Sequence, residues 1–415
     1  MSEASWTWMI YLATHNNAAE VGEESVARMR TVAPNPNVRV LVQQSTLERT
    51  TRHVIGASPE IAADLGKVDS GAPETLLDFI RWAAATAPAR RYALVLWSHG
   101  SGWTPSEMER IAKQQPAAVP VTAGELIQRG QSDTAGQIFF SSSLGELLAQ
   151  PTPSERAIAF DDGSGHSLDT LELGRAIAKA AQALGRPLDL VGMNACQMSS
   201  AEVAYQLRGS AEVYVASQED MPVQGWPYDD ILPRLAAQPD MDAAALGTLV
   251  VERYLAYFQA NQLPWGQDGL PAGVTLAATR LDGIPKLAGA VQSLAACMQG
   301  NIATLSDAVW AAHAKAHKFK FQLYDLASFC RALANAASGT PAAAAANAVL
   351  TALDDPALML KRAHLGSTYD DIGGLTTYLL PPGTGKPISP YYAETAYAQA
   401  TAWGAFLAAY HAAVG

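Results

Sequence analysis

The chain carries an uninterrupted apolar run at Tyr92-Ala-Leu-Val-Leu-Trp97, followed at once by Ser98-His99-Gly100. A short run that is apolar at every position is typical of a strand covered on both faces, as in a parallel sheet. A histidine beside a glycine at the end of such a strand lies where the crevice of an α/β sheet opens. The run therefore predicts a buried central strand whose carboxyl end carries a candidate functional residue.

Similar runs recur through the first 240 residues and alternate with helical patterns. A helix is predicted to begin near Asp169, where Glu172 three residues later indicates a capping box. Strands that alternate with helices favour right-handed βαβ units. We therefore expect an α/β fold with a mostly parallel sheet flanked by helices. The further predicted strands are at residues 8–13, 38–43, 157–160, 188–191 and 213–216.

The pattern changes at two places along the chain. Between residues 103 and 155 the alternation fails, and Pro, Gln, Gly and Ser cluster. An insert of this length without regular structure is uncommon in a compact domain unless it has a function. Ala-rich helical patterns dominate from residue 241, for example at 243–262 and 393–411. We expect an α/β domain over residues 1–240, with 103–155 as an insert, and a mainly helical part over 241–415 packed on it.

Composition and charge exclude several classes of protein. The formal net charge of −11 argues against nucleic-acid binding through a basic face. The sequence has no apolar stretch long enough to span a membrane and no basic, apolar leader pattern, so a cytoplasmic protein is expected. Three cysteines at wide spacing predict neither a disulfide framework nor a CxxC metal pair. Two of them, Cys297 and Cys330, are predicted in apolar helices, as buried core residues.

Residues with catalytic potential follow two of the predicted strands. Cys196 ends the strand that begins at residue 188, and a helical pattern follows it. The thiol is therefore expected at a helix N-terminus, where partial positive charge favours the thiolate. His99 supplies the base that such a nucleophile requires, and the peptide N–H groups of Gly100 and Cys196 are candidates for an oxyanion hole. The alternative is a buried structural cysteine and an ordinary loop histidine.

Five groups of residues, in order along the chain, resemble segments of the clostripain-like cysteine peptidases, which are related in fold to caspases. The resemblance implies a caspase-like fold and hydrolysis of peptide or protein substrates, with Cys196 as nucleophile and His99 as its acid–base partner. It requires no third catalytic acid. The groups are Trp6-Thr-Trp-Met-Ile-Tyr-Leu-Ala13 with Asn16-Asn17 and Glu20; Leu94-Val-Leu-Trp-Ser-His-Gly-Ser-Gly-Trp103; Asn194-Ala-Cys-Gln-Met198 with Glu202-Val-Ala-Tyr-Gln-Leu207; Ala216-Ser-Gln-Glu-Asp220 with Gly225-Trp-Pro-Tyr228; and Gly374-Leu-Thr-Thr-Tyr378 with Trp403-Gly-Ala-Phe-Leu407.

The resemblance also bears on the residue recognised at P1, immediately before the cleaved bond. The family usually carries an aspartate two residues before the nucleophile, which helps to bind Arg or Lys, whereas this chain has Asn194. Glu219 and Asp220, after the next predicted strand, are candidates for a negative wall that binds a guanidinium. The alternative is a solvated acidic loop. We expect Arg to be preferred over Lys, because a planar guanidinium uses several acceptors at once.

Members of the family are often cut between their two catalytic residues. The insert offers Arg110, Lys113 and Arg129 as processing sites, with Arg156 at its far edge. Segments of low structural propensity are preferred sites of proteolytic cleavage. The sequence therefore predicts a zymogen that is cut by itself or by an activating protease, with an inconsequential surface insertion as the alternative.

Two further hypotheses concern cofactors and the absence of catalysis. No cofactor is expected to be required, although some members of the family depend on calcium. Asp161-Asp-Gly-Ser-Gly165 is an acidic loop, but its spacing lacks the ligand rhythm of a dedicated calcium loop. The rival to a peptidase is a catalytically silent caspase-like protein that binds or regulates a partner. Retention of both His99 and Cys196 favours the enzyme.

Overall fold

The computed structural model describes residues 3–14, 19–46, 48–98, 100–103, 168–263, 265–266, 271–385 and 387–414. Within these ranges the strands are β1 (Ala4–Ala13), β2 (Val38–Ser45), β3 (Thr50–Val54), β4 (Ile61–Gly66), β5 (Ala89–Trp97), β6 (Leu188–Asn194), β7 (Ala211–Ala216), β8 (Val274–Arg280), β9 (Leu323–Asp325), β10 (Met359–Leu365) and β11 (Thr376–Tyr378).

The helices of the same ranges are α1 (Ala19–Arg30), α2 (Pro73–Thr86), α3 (Thr170–Leu184), α4 (Ala201–Leu207), α5 (Tyr228–Ala237), α6 (Ala243–Asn261), α7 (Ile284–Gly300), α8 (Ile302–Lys315), α9 (Leu326–Ala336), α10 (Pro341–Leu353), α11 (Ala396–Thr401) and α12 (Trp403–Val414). Short 3₁₀ turns lie at Lys320–Gln322, Ser367–Tyr369 and Pro390–Glu394.

The centre of the described structure is a nine-stranded sheet in the order β10-β8-β7-β6-β5-β1-β2-β3-β4. The five strands from β7 to β2 run parallel to one another. At one edge β3 and β4 are antiparallel, and at the other edge so are β8 and β10. The prediction of a mostly parallel sheet flanked by helices is confirmed.

The apolar runs arise because both faces of the central strands are covered. On β1, Met9 and Tyr11 belong to one core cluster, while Trp8 and Ile10 belong to the other. Successive side chains of a strand point to opposite faces, so burial on both faces requires apolar residues at every position. Helices α2 and α3 cover the first face, and α1, α5 and α6 cover the second.

Local signals predicted several elements correctly. Asp169 caps α3, and its backbone N–H donates to Oε2 of Glu172 at 3.0 Å, which completes the predicted capping box. The strands predicted at 8–13, 38–43, 92–97, 188–191 and 213–216 are present as β1, β2, β5, β6 and β7. Cys297 and Cys330 lie within α7 and α9 as expected, but only Cys330 is buried, whereas Cys297 is partly exposed. The strand predicted at 157–160 lies outside the described residues.

The second half of the chain differs from its predicted pattern in two respects. Strands β8 and β10 extend the central sheet, so this half contributes more than helices. The helix expected over 393–411 is divided into α11 and α12 at Ala402, which has a left-handed φ of 53°. The division at residue 240 stays a prediction. The insert at 103–155 lies outside the described residues except for Trp103.

Candidate active site

The carboxyl ends of β5 and β6 lie side by side and in register, with Trp97 opposite Asn194. Each strand is followed two residues later by a predicted catalytic residue, His99 or Cys196. His99 lies outside the described residues. The chain on its far side is described: a Cβ built on Gly100 would lie 2.1 Å from the carbonyl oxygen of Cys196 and 3.1 Å from its nitrogen. The segment after β5 therefore passes directly against the backbone of Cys196.

The thiol of Cys196 is buried, with 4% of the residue exposed. Sγ accepts a hydrogen bond from the backbone N–H of Met221 at 3.2 Å. Burial raises the pKa of this thiol strongly, and the carboxylates of Asp220 and Glu219 raise it further, against the lowering effects of the Met221 hydrogen bond and of Lys320. Among the described residues, the surroundings of Cys196 thus disfavour its thiolate form.

The expectation that Cys196 stands at a helix N-terminus is wrong. Helix α4 begins at Ala201, and its N-cap is Ser200, whose hydroxyl accepts from the backbone N–H of Val203 at 3.2 Å. The residues between Cys196 and the cap form a loop in which Gln197 has a left-handed φ of 60°. The influence of a helix terminus falls off within its first turn, so α4 is too far along the chain to stabilise the thiolate of Cys196. The group that donates to the sulfur is instead the backbone N–H of Met221.

The loop after β7 carries Glu219 and Asp220, which form the predicted negative wall and are called the acidic wall below. This loop packs on residues 195–200, the nucleophile loop between β6 and α4. The backbone N–H of Gln197 donates to the carbonyl oxygen of Glu219 at 3.2 Å. The side-chain Nε2 of Gln197 donates to Oε1 of Glu219 at 3.2 Å and to Oδ1 of Asp220 at 3.1 Å. Both carboxylates therefore lie beside Cys196. Burial and the neighbouring Asp220 raise the pKa of Glu219.

Two residues from the second half of the chain complete this acidic wall. Nζ of Lys320 forms an ion pair with Oδ2 of Asp220. The hydroxyl of Tyr369 donates to Oε2 of Glu219 at 2.8 Å. The sequence offered no signal for either contact, because each joins segments at least 100 residues apart.

Asn194, the last residue of β6, is buried, with 3% of the residue exposed. In the amide orientation that satisfies its neighbours, Oδ1 accepts from Nε1 of Trp97 at 2.8 Å, from the hydroxyl of Tyr228 at 3.0 Å and from the backbone N–H of Trp226 at 3.3 Å. These bonds connect β6 to β5, to the loop before α5 and to the first residue of α5. The contact of Asn194 with a substrate stays a prediction.

A buried carboxyl group connects α4, which follows the nucleophile loop, to residues 377–392. Oε1 of Glu202, in α4, accepts from the hydroxyl of Thr377 at 2.9 Å, from the backbone N–H of Tyr378 at 2.9 Å and from the hydroxyl of Tyr392 at 3.1 Å. Trp103 packs edge-on against both tyrosine rings, at centroid distances of 4.7 Å. The segments after β5 and β6 are thus held by the same C-terminal residues.

The metal hypothesis finds no site in the part of the chain that the structure describes. No group of three or more His, Cys, Asp or Glu residues there is arranged to hold a metal ion. The acidic loop at 161–165 lies outside the described residues, as do the predicted processing sites Arg110, Lys113, Arg129 and Arg156.

A sequence model of the Clostripain family matches residues 132–408, which is more than half of the chain. The chain belongs to the clostripain family of cysteine peptidases. The matched segment includes Cys196 and begins after His99. Membership makes the protein a cysteine peptidase with peptide or protein substrates. No match was found among curated protein sequences.

Solved structures of clostripain-family proteases share the fold. A secreted C11 cysteine protease from Bacteroides thetaiotaomicron, in complex with an irreversible peptide inhibitor, has a TM-score of 0.66 at 16% identity, covering 96% of this chain and 99% of that one. An inactive zymogen C11 protease from Parabacteroides distasonis has a TM-score of 0.64 at 16% identity, covering 97% and 99%. These similarities confirm the caspase-like α/β architecture.

The comparison also corrects the expected location. The prediction of a cytoplasmic enzyme is contradicted by the protease from B. thetaiotaomicron, which is described as secreted. The lack of a basic, apolar leader pattern, from which that location was expected, does not determine where a protein is located. Among the helices in the described ranges, none combines the length and the apolar character needed to cross a membrane.

Proposed function

We propose that this clostripain-family protein is an endopeptidase that cleaves after Arg, or after Lys, through a Cys196–His99 dyad. The observation that carries the proposal is the register of β5 and β6, which ends both strands at the same level of the sheet. Residues two positions beyond those ends are the thiol and the imidazole. The contact of Gly100 with the backbone of Cys196 supports the same pairing.

The proposed reaction proceeds through an acyl-enzyme. The thiol transfers its proton to His99, and the sulfur attacks the carbonyl carbon of the scissile peptide. His99 then gives its proton to the leaving amine as the C–N bond breaks. A water molecule, deprotonated by His99, attacks the thioester and releases the carboxylic acid and the free thiol. The N–H groups of Gly100 and Cys196 are the proposed donors to the oxyanion.

Selection of a basic P1 residue is supported by the acidic wall. Glu219 and Asp220 lie in the loop that also supplies the Met221 hydrogen bond to Sγ. A guanidinium beside two carboxyl groups gains charge-assisted hydrogen bonds, and the fork of Arg uses them better than the single ammonium of Lys.

Synthesis as a zymogen is supported by the state of the nucleophile. A thiol that is buried and has a raised pKa is a weak nucleophile, because the thiolate is the reactive form. Activation that exposes Cys196 or brings positive charge to it would favour the reactive thiolate. Cleavage at Arg110, Lys113, Arg129 or Arg156 is the proposed trigger.

The dyad itself needs no cofactor, and a calcium requirement through residues 161–165 is a separate proposal. Removal of calcium with a chelator, followed by readdition, tests it. Activity that falls and returns supports a calcium site, and unchanged activity rejects it.

The decisive experiment combines substitution with covalent labelling. The Cys196→Ala and His99→Ala proteins should each lose peptide hydrolysis while they keep the far-UV circular dichroism of the wild type. A peptidyl acyloxymethyl ketone with Arg at P1 should label Cys196, and neither Cys297 nor Cys330, in the active protein. Hydrolysis that persists in either variant, or label on another cysteine, would reject the dyad.

A further inference from the structure

The side chain of Lys320 occupies the carboxylate that is proposed to receive a basic P1 side chain. Its Nζ forms an ion pair with Oδ2 of Asp220. The other oxygen of Asp220 accepts from Nε2 of Gln197 at 3.1 Å, and Gln197 follows the nucleophile directly. An ammonium on a flexible aliphatic stem is also what a Lys substrate would present. The chain therefore places its own copy of the substrate cation beside Cys196.

The backbone around Lys320 is fixed. Phe319 before it is buried, with 4% exposed, and stacks on Tyr369 at a centroid distance of 6.2 Å and an interplanar angle of 2°. Phe321 and Gln322 after it have left-handed φ angles of 57° and 59°. Such angles are unfavourable for residues other than glycine and persist where the surroundings impose them. The position of Lys320 is therefore set by the packing of the turn.

Hydrogen bonds at both ends hold the same turn. The backbone N–H of Phe319 donates to the carbonyl oxygen of Leu323 at 2.8 Å, and the N–H of Leu379 donates to that of Gln322 at 3.0 Å. The segment that carries Lys320 is thus connected to the strand pair of β9 and β11. That pair leads directly to Glu202 through Thr377 and Tyr378.

The charges and the exposure suit an exchange of cations. The side chain of Asp220 is 10% exposed, whereas that of Lys320 is 42% exposed. The carboxylate is therefore committed to an ionic partner, while the ammonium retains contact with water. Breaking a partly exposed ion pair costs less than breaking a buried one, provided that another cation replaces the first. Asp220 raises the pKa of Lys320 against the effect of burial, so the ammonium stays charged.

We propose that Lys320 is a specificity-determining residue that competes with the cationic P1 side chain for Asp220. This inference rests on the proposed function and deepens it. A substrate with Arg at P1 displaces Lys320, because a guanidinium binds a carboxylate with several parallel donors. A substrate with Lys at P1 gains only an exchange of one ammonium for another. Lys320 thereby weakens the binding of either cation by the same factor, lowers the advantage of a basic over a neutral P1 side chain, and keeps Asp220 neutralised in the absence of substrate.

Binding of a small cation tests the inference without catalysis. In a Cys196→Ala background, n-butylguanidine is titrated into the protein by calorimetry, with neutral n-butylurea as the control ligand. Lys320→Met keeps the length of the side chain and removes its charge. Lys318→Met is the matched control, because Lys318 lies two residues away and faces the Tyr324 ring at 5.9 Å. Lys320→Met should tighten n-butylguanidine binding by about tenfold, as for removal of a competing charge, and Lys318→Met should leave it unchanged.

A second substitution identifies the carboxylate. Adding Asp220→Asn to Lys320→Met should abolish the gain in affinity. In the catalytic protein, Lys320→Met should lower KM for P1 Arg and P1 Lys substrates by a similar factor and leave a P1 norleucine substrate unaffected. Each variant is accepted only if its thermal unfolding remains cooperative, and Lys320→Gln replaces Lys320→Met if that variant fails to fold.

The outcomes separate this inference from the proposed function. If the Lys320→Met protein binds n-butylguanidine no more tightly than the Lys318→Met protein, or if n-butylurea gains equally, Lys320 is a structural ion-pair partner and the inference fails. If the binding changes as expected but no cleaved peptide is found for the wild type, the competition stands and the proposed peptidase specificity fails.

Discussion

Gly100 lies so close to the nucleophile loop that one added carbon atom would collide with it. The added Cβ of Gly100→Ala would lie 2.1 Å from the carbonyl oxygen of Cys196, a backbone atom that cannot rotate away. We expect a loss of stability on the order of 1–3 kcal/mol, as for overpacking of a core. The loss in kcat/KM, expressed as a free energy, should exceed the loss in the free energy of unfolding, because the two catalytic segments are forced apart. Urea unfolding and kcat/KM measure the two effects.

The matched control for this substitution is Gly289→Ala. Gly289 lies inside α7 with open space around its Cβ position. Alanine in a helix interior is expected to add about 0.5–1 kcal/mol of stability. If Gly100→Ala behaved like Gly289→Ala in both assays, the close approach of the two segments would be refuted.

Glu202 predicts a pH dependence of stability whose sign follows from its burial. Burial raises the pKa of Glu202 above the usual value of 4.5, against the effect of its hydrogen bonds to Tyr378, Thr377 and Tyr392. A raised folded-state pKa means that the stabilisation is complete below about pH 4.5 and is lost as the pH rises through the folded-state value. Glu202→Gln keeps the Oε1 acceptor and cannot ionise.

The free energy of unfolding, measured in urea between about pH 4 and pH 8, should therefore fall more steeply with pH in the wild type than in the Glu202→Gln protein. The exposed Glu74→Gln substitution, in α2, serves as the control for loss of one carboxyl group. Parallel pH profiles for the wild type and the Glu202→Gln protein would contradict a raised pKa for Glu202.

At the scale of single residues, sequence reasoning named candidate positions that carry local signals, and their roles in the site stay predictions. Cys196 and Gly100 stand directly after apolar strands, and the structure brings both together with Glu219 and Asp220. Sequence reasoning missed Gln197, because a left-handed φ cannot be predicted from the residue type glutamine. The prediction that α4 lowers the pKa of Cys196 is wrong. The helix is capped at Ser200, and the position of this cap depends on how the preceding loop folds.

At the scale of elements, α3 shows how a local motif fixes a boundary. The side chain of Asp169 accepts from the backbone N–H of Glu172 and so satisfies a donor of the first turn. Asp169→Ala should cost about 1 kcal/mol of stability, whereas Asp169→Asn retains the acceptor and should cost less. Because Asp169 caps the first turn of α3, which packs against α2 and α4, the substitution should act on stability and leave kcat unchanged.

Thermal unfolding and initial rates of the two Asp169 variants check this prediction. Equal destabilisation by Ala and by Asn would show that the negative charge of Asp169, and not its acceptor geometry, supports the helix. A fall in kcat that exceeds the fraction of protein unfolded would contradict the assignment of Asp169 to stability alone.

Elements that the sequence did not reveal have polar patterns or distant partners. Strand β3 is buried but contains Arg52, which is accommodated by an ion pair with Asp78 at 2.6 Å and a hydrogen bond to Gln43 at 2.9 Å. Strand β4 lies at the sheet edge and is largely exposed. Neither has the apolar alternation by which strands are recognised, so their pairing is decided by the tertiary structure.

At the scale of the whole molecule, contacts across long sequence separations organise the site. Asp325 is buried and accepts from Nε2 of Gln218 at 2.9 Å and from the backbone N–H of Gly373 at 2.7 Å. Glu202 joins α4 to residues 377–392 in the same manner. Hydrophobic periodicity in the sequence carries no information on such contacts. For this reason the C-terminal half is predicted from sequence as helices packed on a domain. The structure shows that it also supplies strands β8 and β10 and the residues Lys320 and Tyr369, which contact the acidic wall.

The proposed processing of the insert has a consequence for the assembled molecule. Every candidate cut, at Arg110, Lys113, Arg129 or Arg156, falls between β5 and β6 in sequence. These strands are adjacent and parallel in the middle of the sheet, paired from Ala93 and Leu190 to Trp97 and Asn194. Cleaved fragments should therefore stay associated under native conditions, because separation would expose the buried faces of central strands.

Intact-mass analysis of the active protein should show fragments that co-elute in native size exclusion and separate in denaturant. Changing all four basic residues to Ala should delay the onset of activity, whereas Lys67→Ala, an exposed basic residue outside the insert, should not. The Cys196→Ala protein should remain intact when incubated alone, and its cleavage by added wild-type enzyme would show self-processing. Because the buried thiol has a raised pKa, activity before the cut should be weak. A single chain that reaches full activity uncut would reject the zymogen while leaving the Cys196–His99 dyad in place.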